Sequence, residues 1–323
     1  MHIPAIYDIL DDNINLSFNF GEVALRNLNF KGYWCNIDIF QTKPISAAYE
    51  PIIDINGKEN RKILLYISYP ISQKLPVLSF KNGYICYTPN QYKHYFLDCN
   101  ISPEEYLQTF QSKTRSTLKR KIKKVSSSCT HTEYFKVYKS PEEILEFLPL
   151  AKEISDKSFQ FQFLNQGLKY SDLYINEYLE RAREGKILGF ILFVEDKPVA
   201  YNLNPIYDGG VMIYYYTGYD SNYSEYSPGT VLQYKTIEFA MNSDFVNKYD
   251  LCIGEGKHKE YFTEQFIFCG DIYYFPLNIK HSFILISKVA FDNLIKVIKN
   301  TGKLFFNLDK VKKWMRNNLK RNK

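Results

Sequence analysis

Residues 226–230 have the composition of an anion-binding turn, Tyr-Ser-Pro-Gly-Thr. They follow three apolar, strand-like runs and lead into a periodic helix predicted at 231–241. A short glycine-containing turn before a helix presents unpaired backbone N–H groups at the positive end of the helix dipole. Such groups suit a phosphate, and the alternative is an ordinary helix start with Ser at the N-cap. The residues predicted to bind the phosphate are Ser227, Gly229, Thr230 and Val231.

Glu255 lies between two glycines, directly after a strand predicted at Tyr249–Ile253. A carboxylate in that position is accessible to a ligand. Transfer of a group to an amine requires a deprotonated amine, and a carboxylate can take that proton directly or through water. Glu255 is therefore a candidate general base, and the alternative is a solvated turn carboxylate.

The segment 159–163 alternates Phe and Gln. Aromatic rings can stack on the faces of a sugar, and amides can bond its hydroxyls. The segment is therefore a candidate substrate contact, although its rings could instead pack the loop onto the protein body. The residues selected here are Phe159, Gln160 and Phe161.

Positive charge is concentrated in two segments. Residues 113–124 carry seven Lys or Arg and no acid, and Arg115 and Lys119 share a helix face there. This face could hold a nucleotide phosphate, an acidic acceptor or nucleic acid, or it could simply be solvated. Residues 280–323 carry twelve basic residues and two acids, with helical apolar spacing that suits an anionic membrane surface or packing on the body. The apolar residues of that tail are Phe291, Leu294, Ile295, Ile298, Val311, Trp314, Met315 and Leu319.

The overall composition is that of a globular protein. The chain has 323 residues, a net charge of +6, and 45% hydrophobic and 24% charged residues, which suggests two domains or one large one. The six cysteines lack metal-ligand spacing, so free thiols in the cytoplasm and no metal are expected. A basic leader and a ~20-residue apolar run are both lacking, so no signal peptide and no membrane span are expected.

The order of elements is clearest after residue 132. It reads strand, two helices, three antiparallel strands, helix, strand, helix and strand. Tight turns at Glu195-Asp196 and 208–210 force antiparallel pairing, and the helix after Pro228 makes the next connection a crossover to a parallel strand. Residues 1–99 read as short strands with hairpin turns at Asn56-Gly57 and Asn82-Gly83.

This order and several segments resemble the GNAT acyltransferases. More narrowly, they resemble the CelD-like (BioF-like) acetyltransferases, which are related to the Fem-type aminoacyltransferases. The segments are YLQTFQSKTRSTLKRKIKK from Tyr106, GFILFVEDKPVA from Gly189, GYDSNYSEYSPGTVL from Gly218 and DLCIGEGKHKEYF from Asp250. The resemblance implies an α/β tandem GNAT-like fold with mixed central sheets and flanking helices. Its expected parts are a degenerate half at 1–131, an acyltransferase domain at 132–279 and a basic helical tail at 280–323.

The resemblance also assigns roles to residues. The phosphate at the 226–230 turn would be the pyrophosphate of coenzyme A, although this turn lacks the arginine often found in the family. Tyr261 would protonate the departing thiolate, and Lys259 would bind a phosphate or an acidic acceptor. The strand predicted at Val211–Thr217 would polarise the thioester carbonyl, and the pantetheine arm would lie along Tyr216, Thr217 and Gly218.

The expected function is an N-acyltransferase that moves an acyl group, most simply acetyl, from acyl-CoA to a primary amine. The amine would belong to an amino sugar of surface polysaccharide biosynthesis. It would attack the acyl-CoA thioester directly, through a tetrahedral intermediate. The expected location is cytoplasmic, with association at the inner membrane surface through the basic tail left open. The alternatives are a Fem-type transferase that uses aminoacyl-tRNA, and a non-catalytic protein that binds a membrane or a partner.

Overall fold

The computed structural model describes residues 6–20, 23–47, 62–131, 133–158, 161, 167–253 and 256–305. The chain divides into two compact units. The first combines Met1–Lys93 with Ile267–Lys323, and the second is the continuous segment His94–Phe266. The domain boundaries at 131/132 and 279/280 stay predictions, because compactness does not test whether a segment folds alone.

The described elements follow the chain in this order. The strands are β1 (Ile6–Phe20), β2 (Val23–Ile37), β3 (Ile63–Pro70), β4 (Leu78–Lys81), β5 (Tyr84–Tyr87), β6 (Gln91–Asp98), β7 (Phe135–Tyr138), β8 (Ile187–Val194), β9 (Lys197–Tyr207), β10 (Val211–Ile213), β11 (Tyr216–Tyr219), β12 (Lys248–Asp250) and β13 (Phe266–Pro276). The helices are α1 (Pro103–Thr109), α2 (Ser112–Ser126), α3 (Pro141–Lys157), α4 (Asp172–Arg183), α5 (Pro228–Met241), α6 (Lys257–Glu260) and α7 (Ile279–Phe305). A 3₁₀-helix at Ser221–Tyr226 precedes α5.

The first unit is a mixed sheet covered by one long helix. β1 pairs antiparallel with β2, β2 pairs parallel with β3, and β13 pairs antiparallel with both β3 and β5. The β4–β5 hairpin turns at Asn82-Gly83 with φ values of 49° and 82°, which confirms the predicted type of turn. The turn predicted at Asn56-Gly57 lies outside the described residues.

The second unit is also a mixed sheet. Its strand order is β6-β12-β10-β9-β8-β7, and β11 also pairs with β9. The β10–β12 pair is parallel and is connected through α5, so the predicted crossover is confirmed. The Glu195-Asp196 turn joins β8 and β9 with φ values of 55° and 60°, which confirms the predicted antiparallel hairpin.

Helices cover both faces of this second sheet. Every residue of β8 is buried, and alternate side chains enter two separate cores. Phe190 and Leu192 pack with α2 and α5, whereas Ile187 and Ile191 pack with α3 and α4. A strand buried on both faces reads as a continuous apolar run, as 187–194 does. The predicted mixed α/β fold with flanking helices is confirmed.

The sequence Ser-Pro-Glu-Glu occurs at 102–105 and 140–143 and predicts a helix start at each, which the structure confirms. Ser102 and Ser140 each accept a hydrogen bond from the backbone N–H three residues later, and the Glu at that position bonds back to the cap. Such a capping box satisfies two backbone donors at once, which fixes where α1 and α3 begin.

Three predicted strand boundaries are wrong. The strand predicted at Val211–Thr217 is two strands, β10 and β11, separated by Tyr214 and Tyr215. The strand predicted at Tyr249–Ile253 ends at Asp250. The final strand, predicted at Asp271–Phe275, begins at Phe266, and most of it belongs to the first unit. The first two differences arise at one turn that residues distant in sequence hold in place, and this turn defines the candidate site.

Candidate functional site

In the second unit, β10 and β11 both pair with β9, but only β10 also pairs with β12. The change occurs at Tyr214. β12 pairs with β10 from Val211 to Ile213, and the Tyr214 N–H then donates to the Asp250 carbonyl at 2.8 Å. β11 continues the antiparallel pairing with β9, from Tyr216 opposite Leu203 onward. Among the described residues, no strand pairs with the other edge of β11. Backbone groups along that edge are therefore available to a ligand.

The chain turns away from β11 because Asp250 ends β12. One carboxylate oxygen of Asp250 accepts the Cys252 N–H at 2.7 Å and lies 2.5 Å from His94 Nε2. Cys252 has φ of +63°, a left-handed conformation that is uncommon for a residue with a side chain. The buried Asp250–His94 pair thus supports a strained turn where β12 would otherwise have continued beside β11.

Lys259 holds the same turn from its other side. Its ammonium donates to the carbonyl oxygens of Cys252 and Ile253, both at 2.8 Å, and the residue is 6% exposed. Burial lowers the pKa of Lys259, and the Asp250 carboxylate partly opposes that effect. Two of the three ammonium donors therefore go to backbone carbonyls. Lys259 thus helps to fix this turn. The sequence predicts a different role for it, binding a phosphate or an acidic acceptor.

The predicted anion-binding turn forms a helix start, but with fewer free donors than expected. Ser227 is left-handed with φ of 52°, its side chain makes no capping bond, and α5 begins at Pro228. The N–H groups of Thr230 and Val231 both donate to the Ser227 carbonyl, at 3.0 and 3.2 Å. Within the described part of the chain, the Gly229 N–H has no protein acceptor. The turn therefore offers one free amide at the positive end of α5, and the ordinary serine cap does not form.

Two glycines bring this turn, β11 and α3 close together. A Cβ on Gly229 would lie 3.3 Å from the Tyr219 ring at the end of β11. A Cβ on Gly218 would lie 2.7 Å from the Tyr201 ring and 3.1 Å from Ser158, which follows α3. The predicted donor-binding residues Tyr216, Thr217 and Gly218 thus lie on a strand whose end contacts the start of α5.

A buried polar layer lies between β9 and α5. Asn202 donates to the Thr236 hydroxyl at 3.2 Å, and Asn204 donates to the Tyr249 hydroxyl at 3.3 Å. The side-chain carbonyl oxygens of Asn202, Asn204 and Gln233 have no protein partner. An unsatisfied buried polar group costs about 1–3 kcal/mol, so packing alone does not account for three of them together. Sequence reasoning missed this layer, because 197–207 reads as an ordinary strand.

The polar layer reaches β11 through Thr217. Thr217 is paired in register with Asn202, so their side chains share one face of the sheet. The Tyr214 hydroxyl donates to the Thr217 hydroxyl at 3.1 Å, and the Tyr214 ring lies 6.3 Å from that of Tyr249. Polar side chains therefore line this face beside the divided strands.

A tyrosine cluster lies on the opposite face of β11. The Tyr216 ring is 6.2 Å from Tyr178 and 4.6 Å from Tyr215, which is 58% exposed. Lys169 donates to the Tyr174 hydroxyl at 2.8 Å beside this group. Burial raises the pKa of Tyr216, so its hydroxyl stays protonated at neutral pH. The sequence signal for this cluster is the run of three tyrosines at 214–216, of which Tyr216 is predicted to lie along the pantetheine arm.

Only part of the predicted acceptor loop can be located. Phe161 is 41% exposed, and its N–H donates to the hydroxyl of Ser158 at 3.3 Å. Because Ser158 also approaches Gly218, Phe161 lies near β11. Phe159 and Gln160 lie outside the described residues, and so does the candidate base Glu255.

Tyr261 has a buried hydroxyl without a protein partner. Its ring packs against Phe110 and Phe262, with centroids 5.9 and 5.0 Å away. Burial raises the pKa of Tyr261, so the phenol is protonated at neutral pH but is a weaker acid than a free tyrosine. A donor held without an acceptor is compatible with the predicted acid role.

The basic helix α2 approaches the turn through Lys124. This lysine donates to the Glu225 carboxylate at 2.8 Å and lies 4.2 Å above the Tyr226 ring, next to the start of α5. Arg115 instead donates to the side-chain oxygen of Gln108 at 2.6 Å. Lys124 is thus the basic residue of α2 that the structure brings to the predicted phosphate turn.

A surface cavity lies elsewhere in this unit. It has a volume of about 380 Å³ and is lined by residues 99–104, 241–244, 246 and 247. It lies at the C-terminal end of α5, about 20 Å along the helix axis from Gly229. The turn and the divided strands, not this cavity, hold the grouped candidate residues.

Comparison with known proteins supports the fold and the domain. Residues 112–260 match the family model described as an acetyltransferase (GNAT) domain. No curated protein matches the chain significantly. The C-terminal domain of a putative lysylphosphatidylglycerol synthetase from Agrobacterium fabrum is 10% identical, with 87% of this chain and 88% of that chain covered and a TM-score of 0.50. This likeness supports the fold alone.

Two further solved structures have lower TM-scores. FemX is 11% identical, with 85% and 89% of the two chains covered and a TM-score of 0.46. The L-PGS structure from Bacillus licheniformis is 13% identical, with 70% and 72% covered and a TM-score of 0.42. The narrower CelD-like resemblance stays a prediction.

The grouped residues fit the co-substrate of a GNAT domain, an acyl-CoA. The free edge of β11 offers backbone groups to an arm that carries amides, and the free Gly229 N–H at a helix start suits a phosphate. Lys124 adds positive charge beside that helix start. Gly218 and Gly229 keep side chains out of the contacts between these elements.

Replacing Gly218 with Ala should destabilise the protein, because the added Cβ would overlap the Tyr201 ring. Overpacking of this kind costs about 1–3 kcal/mol in the free energy of unfolding. Gly229→Ala is the matched control, since its Cβ meets only the edge of Tyr219 at 3.3 Å. Urea denaturation measures both variants, and equal losses would contradict the tight approach of β11 to the end of α3.

Proposed function

We propose that the protein is an N-acyltransferase that moves an acyl group, most simply acetyl, from acyl-CoA to a primary amine. The observation that carries this proposal is the division of the strands at Tyr214. Among the described residues it leaves one edge of β11 without a partner strand, and that strand ends against the start of α5. These elements fall within the residues that match the GNAT domain.

The donor would bind along β11 and at the start of α5. Tyr216, Thr217 and Gly218 would flank the pantetheine arm, and the Gly229 N–H would bind the pyrophosphate together with the surrounding turn. When bound, the thioester supplies an activated acyl group. Lys124 is the better candidate for the remaining phosphate charge, because its ion pair with Glu225 is solvent-exposed, whereas the Lys259 ammonium is buried and bonds two carbonyls.

The acceptor would approach from the tyrosine side of β11. Phe161, Tyr215 and Tyr216 offer aromatic faces there, which suit the ring of an amino sugar. Glu255, which follows the strained turn in sequence, is proposed to take the proton of the attacking ammonium. We place the reaction in cytoplasmic synthesis of a surface polysaccharide.

A tyrosine-to-phenylalanine change tests the acid role. Tyr261→Phe should lower kcat about a hundredfold, the lower range for a positioned acid. It should leave the free energy of unfolding unchanged or slightly higher, because it removes a buried hydroxyl that has no partner. Steady-state kinetics and urea denaturation of the same preparations measure the two effects. Unchanged kcat would exclude Tyr261 as the acid.

Donor binding tests the proposal as a whole. Saturating acetyl-CoA should raise the melting temperature by a few degrees, because a ligand at about 100 times its Kd adds about 2.7 kcal/mol to stability. Gly229→Asp should abolish the increase by placing a carboxylate at the phosphate position. The aspartate itself is tolerated at a helix start, so the fold should persist.

Gly229→Ala is the matched control and should keep the increase, since it retains the backbone N–H. A full increase in Gly229→Asp would remove the turn from the donor site. No increase with acetyl-CoA or with its desulfo analogue would contradict the acyl-CoA proposal.

A second candidate is a transferase that takes an aminoacyl group from tRNA. The observation that favours it is the exposed basic face of α2, which suits a polyanion. Salt-sensitive binding of tRNA without any response to acyl-CoA would favour this candidate. A protein that binds neither would be non-catalytic. The exposed basic residues of α2 are Lys113, Lys119, Arg120, Lys123 and Lys124.

A further inference from the structure

The long helix α7 has two apolar faces. One packs on the first unit, where Leu285 is fully buried, Ile295 is 8% exposed and Phe291 contacts the Phe18 ring at 5.4 Å. Phe291 and Ile295 were predicted to belong to a single apolar set with Leu294 and Ile298. The structure divides that set between the protein body and solvent. The tail residues Val311, Trp314, Met315 and Leu319 lie outside the described residues.

The second apolar face points into solvent. Ile279 is 91% exposed, Phe283 72%, Ile286 55%, Leu294 56% and Val297 58%. At about 100° per residue these positions fall within an arc of roughly 80°, and the stripe is about 27 Å long. A globular helix normally carries polar residues on its solvent side, so this stripe requires an explanation.

Neighbouring residues of the first unit extend the stripe at its N-terminal end. Leu277 is 47% exposed, and its N–H donates to the Gly83 carbonyl at the tip of the β4–β5 hairpin. Phe80, on β4 of that hairpin, is 58% exposed. The helix stripe therefore continues toward an exposed aromatic residue on a second element.

The charge around this stripe is positive. Residues 280–305 contain five lysines and a single acid, Asp292. Asp292 is paired with the buried Lys288 on the side of the helix that faces the body. The whole segment 280–323 carries a net charge of +10. Any occupant of the stripe must therefore be apolar and tolerate or complement a strongly basic surround.

Charge decides between the possible occupants. A second copy of the chain would bring another segment of net +10 against the first, and like charges at an interface are repulsive. The following segment 306–323 is itself basic and has the same disadvantage. An anionic lipid surface complements both properties, because acyl chains receive the apolar stripe and headgroups attract the lysines.

We propose that the exposed face of α7, together with Leu277 and Phe80, docks on an anionic lipid bilayer. The helix would lie in the plane of the interface, with its stripe facing the acyl chains at the boundary with the headgroups. Among the described residues, no helix is long and apolar enough to cross a bilayer. This proposal is independent of the acyltransferase proposal.

Vesicle sedimentation with the full chain tests the proposal. The protein should pellet with vesicles of phosphatidylserine and phosphatidylcholine in equal parts, and far less with vesicles of phosphatidylcholine alone. The variant Phe283→Glu with Ile286→Glu should reduce the partition coefficient at least tenfold. The double variant Leu145→Glu with Leu173→Glu is the matched control, because it also adds two negative charges at leucines that are 51% and 75% exposed, on α3 and α4.

Light scattering without vesicles tests whether a second copy of the chain, rather than a lipid surface, covers the stripe. The wild type and the double variant should have the same mass, and their melting curves should agree because both substituted side chains are exposed. Equal binding to neutral and anionic vesicles, unaltered binding of the double variant, or no binding at all would overturn the proposal. A wild-type dimer that the double variant abolishes would overturn it in favour of a self-association surface.

Discussion

The candidate site depends on the point after Asp250 at which β12 stops pairing with β10 and does not pair with β11. A sheet normally satisfies the backbone groups of both edges of an internal strand, and an unpaired edge must find another partner. Here Asp250 draws the Cys252 N–H back onto its own carboxylate, and Lys259 holds the next two carbonyls. The turn satisfies its own polar groups internally. The partner that β11 loses can then be replaced by a ligand.

This arrangement also determines where positive charge is available. Lys259 is buried, and its charge stabilises the carbonyls of the turn. The free amide of Gly229 lies at the start of α5, beside Lys124 of α2. The polar layer of Asn202, Asn204 and Gln233 lies on the α5 face of the sheet, and the tyrosines around Tyr216 lie on the other face. A donor and an acceptor could thus approach β11 with different chemistry on each side.

Local rules predicted much of this fold from the sequence. Capping boxes fixed the starts of α1 and α3, and the turns at Asn82-Gly83 and Glu195-Asp196 formed as their residue types require. The helix predicted at 231–241 begins three residues earlier, at Pro228, where proline is favoured as the first helical residue. Each of these features depends on residues within a few positions of each other.

The failures concern interactions between distant residues. The run 211–217 is continuously β-prone, so nothing in it marks the division that Asp250 and His94 impose from other strands. Lys259 looks like an accessible cation until the fold encloses it, and Asn202 looks like a surface strand residue until α5 covers it. The apolar spacing of α7 was visible, but which residues face solvent depends on the sheet beneath it.

The most direct test of the central claim is hydrogen–deuterium exchange of the backbone amides, measured by mass spectrometry with and without saturating acetyl-CoA. With acetyl-CoA bound, slower exchange is expected in peptides that cover Tyr216–Tyr219 and the start of α5. Peptides that cover β8 should not change, because that strand is already paired on both edges. Acetyl-CoA binding that leaves exchange in Tyr216–Tyr219 unaltered would contradict the claim that the free edge of β11 receives the donor.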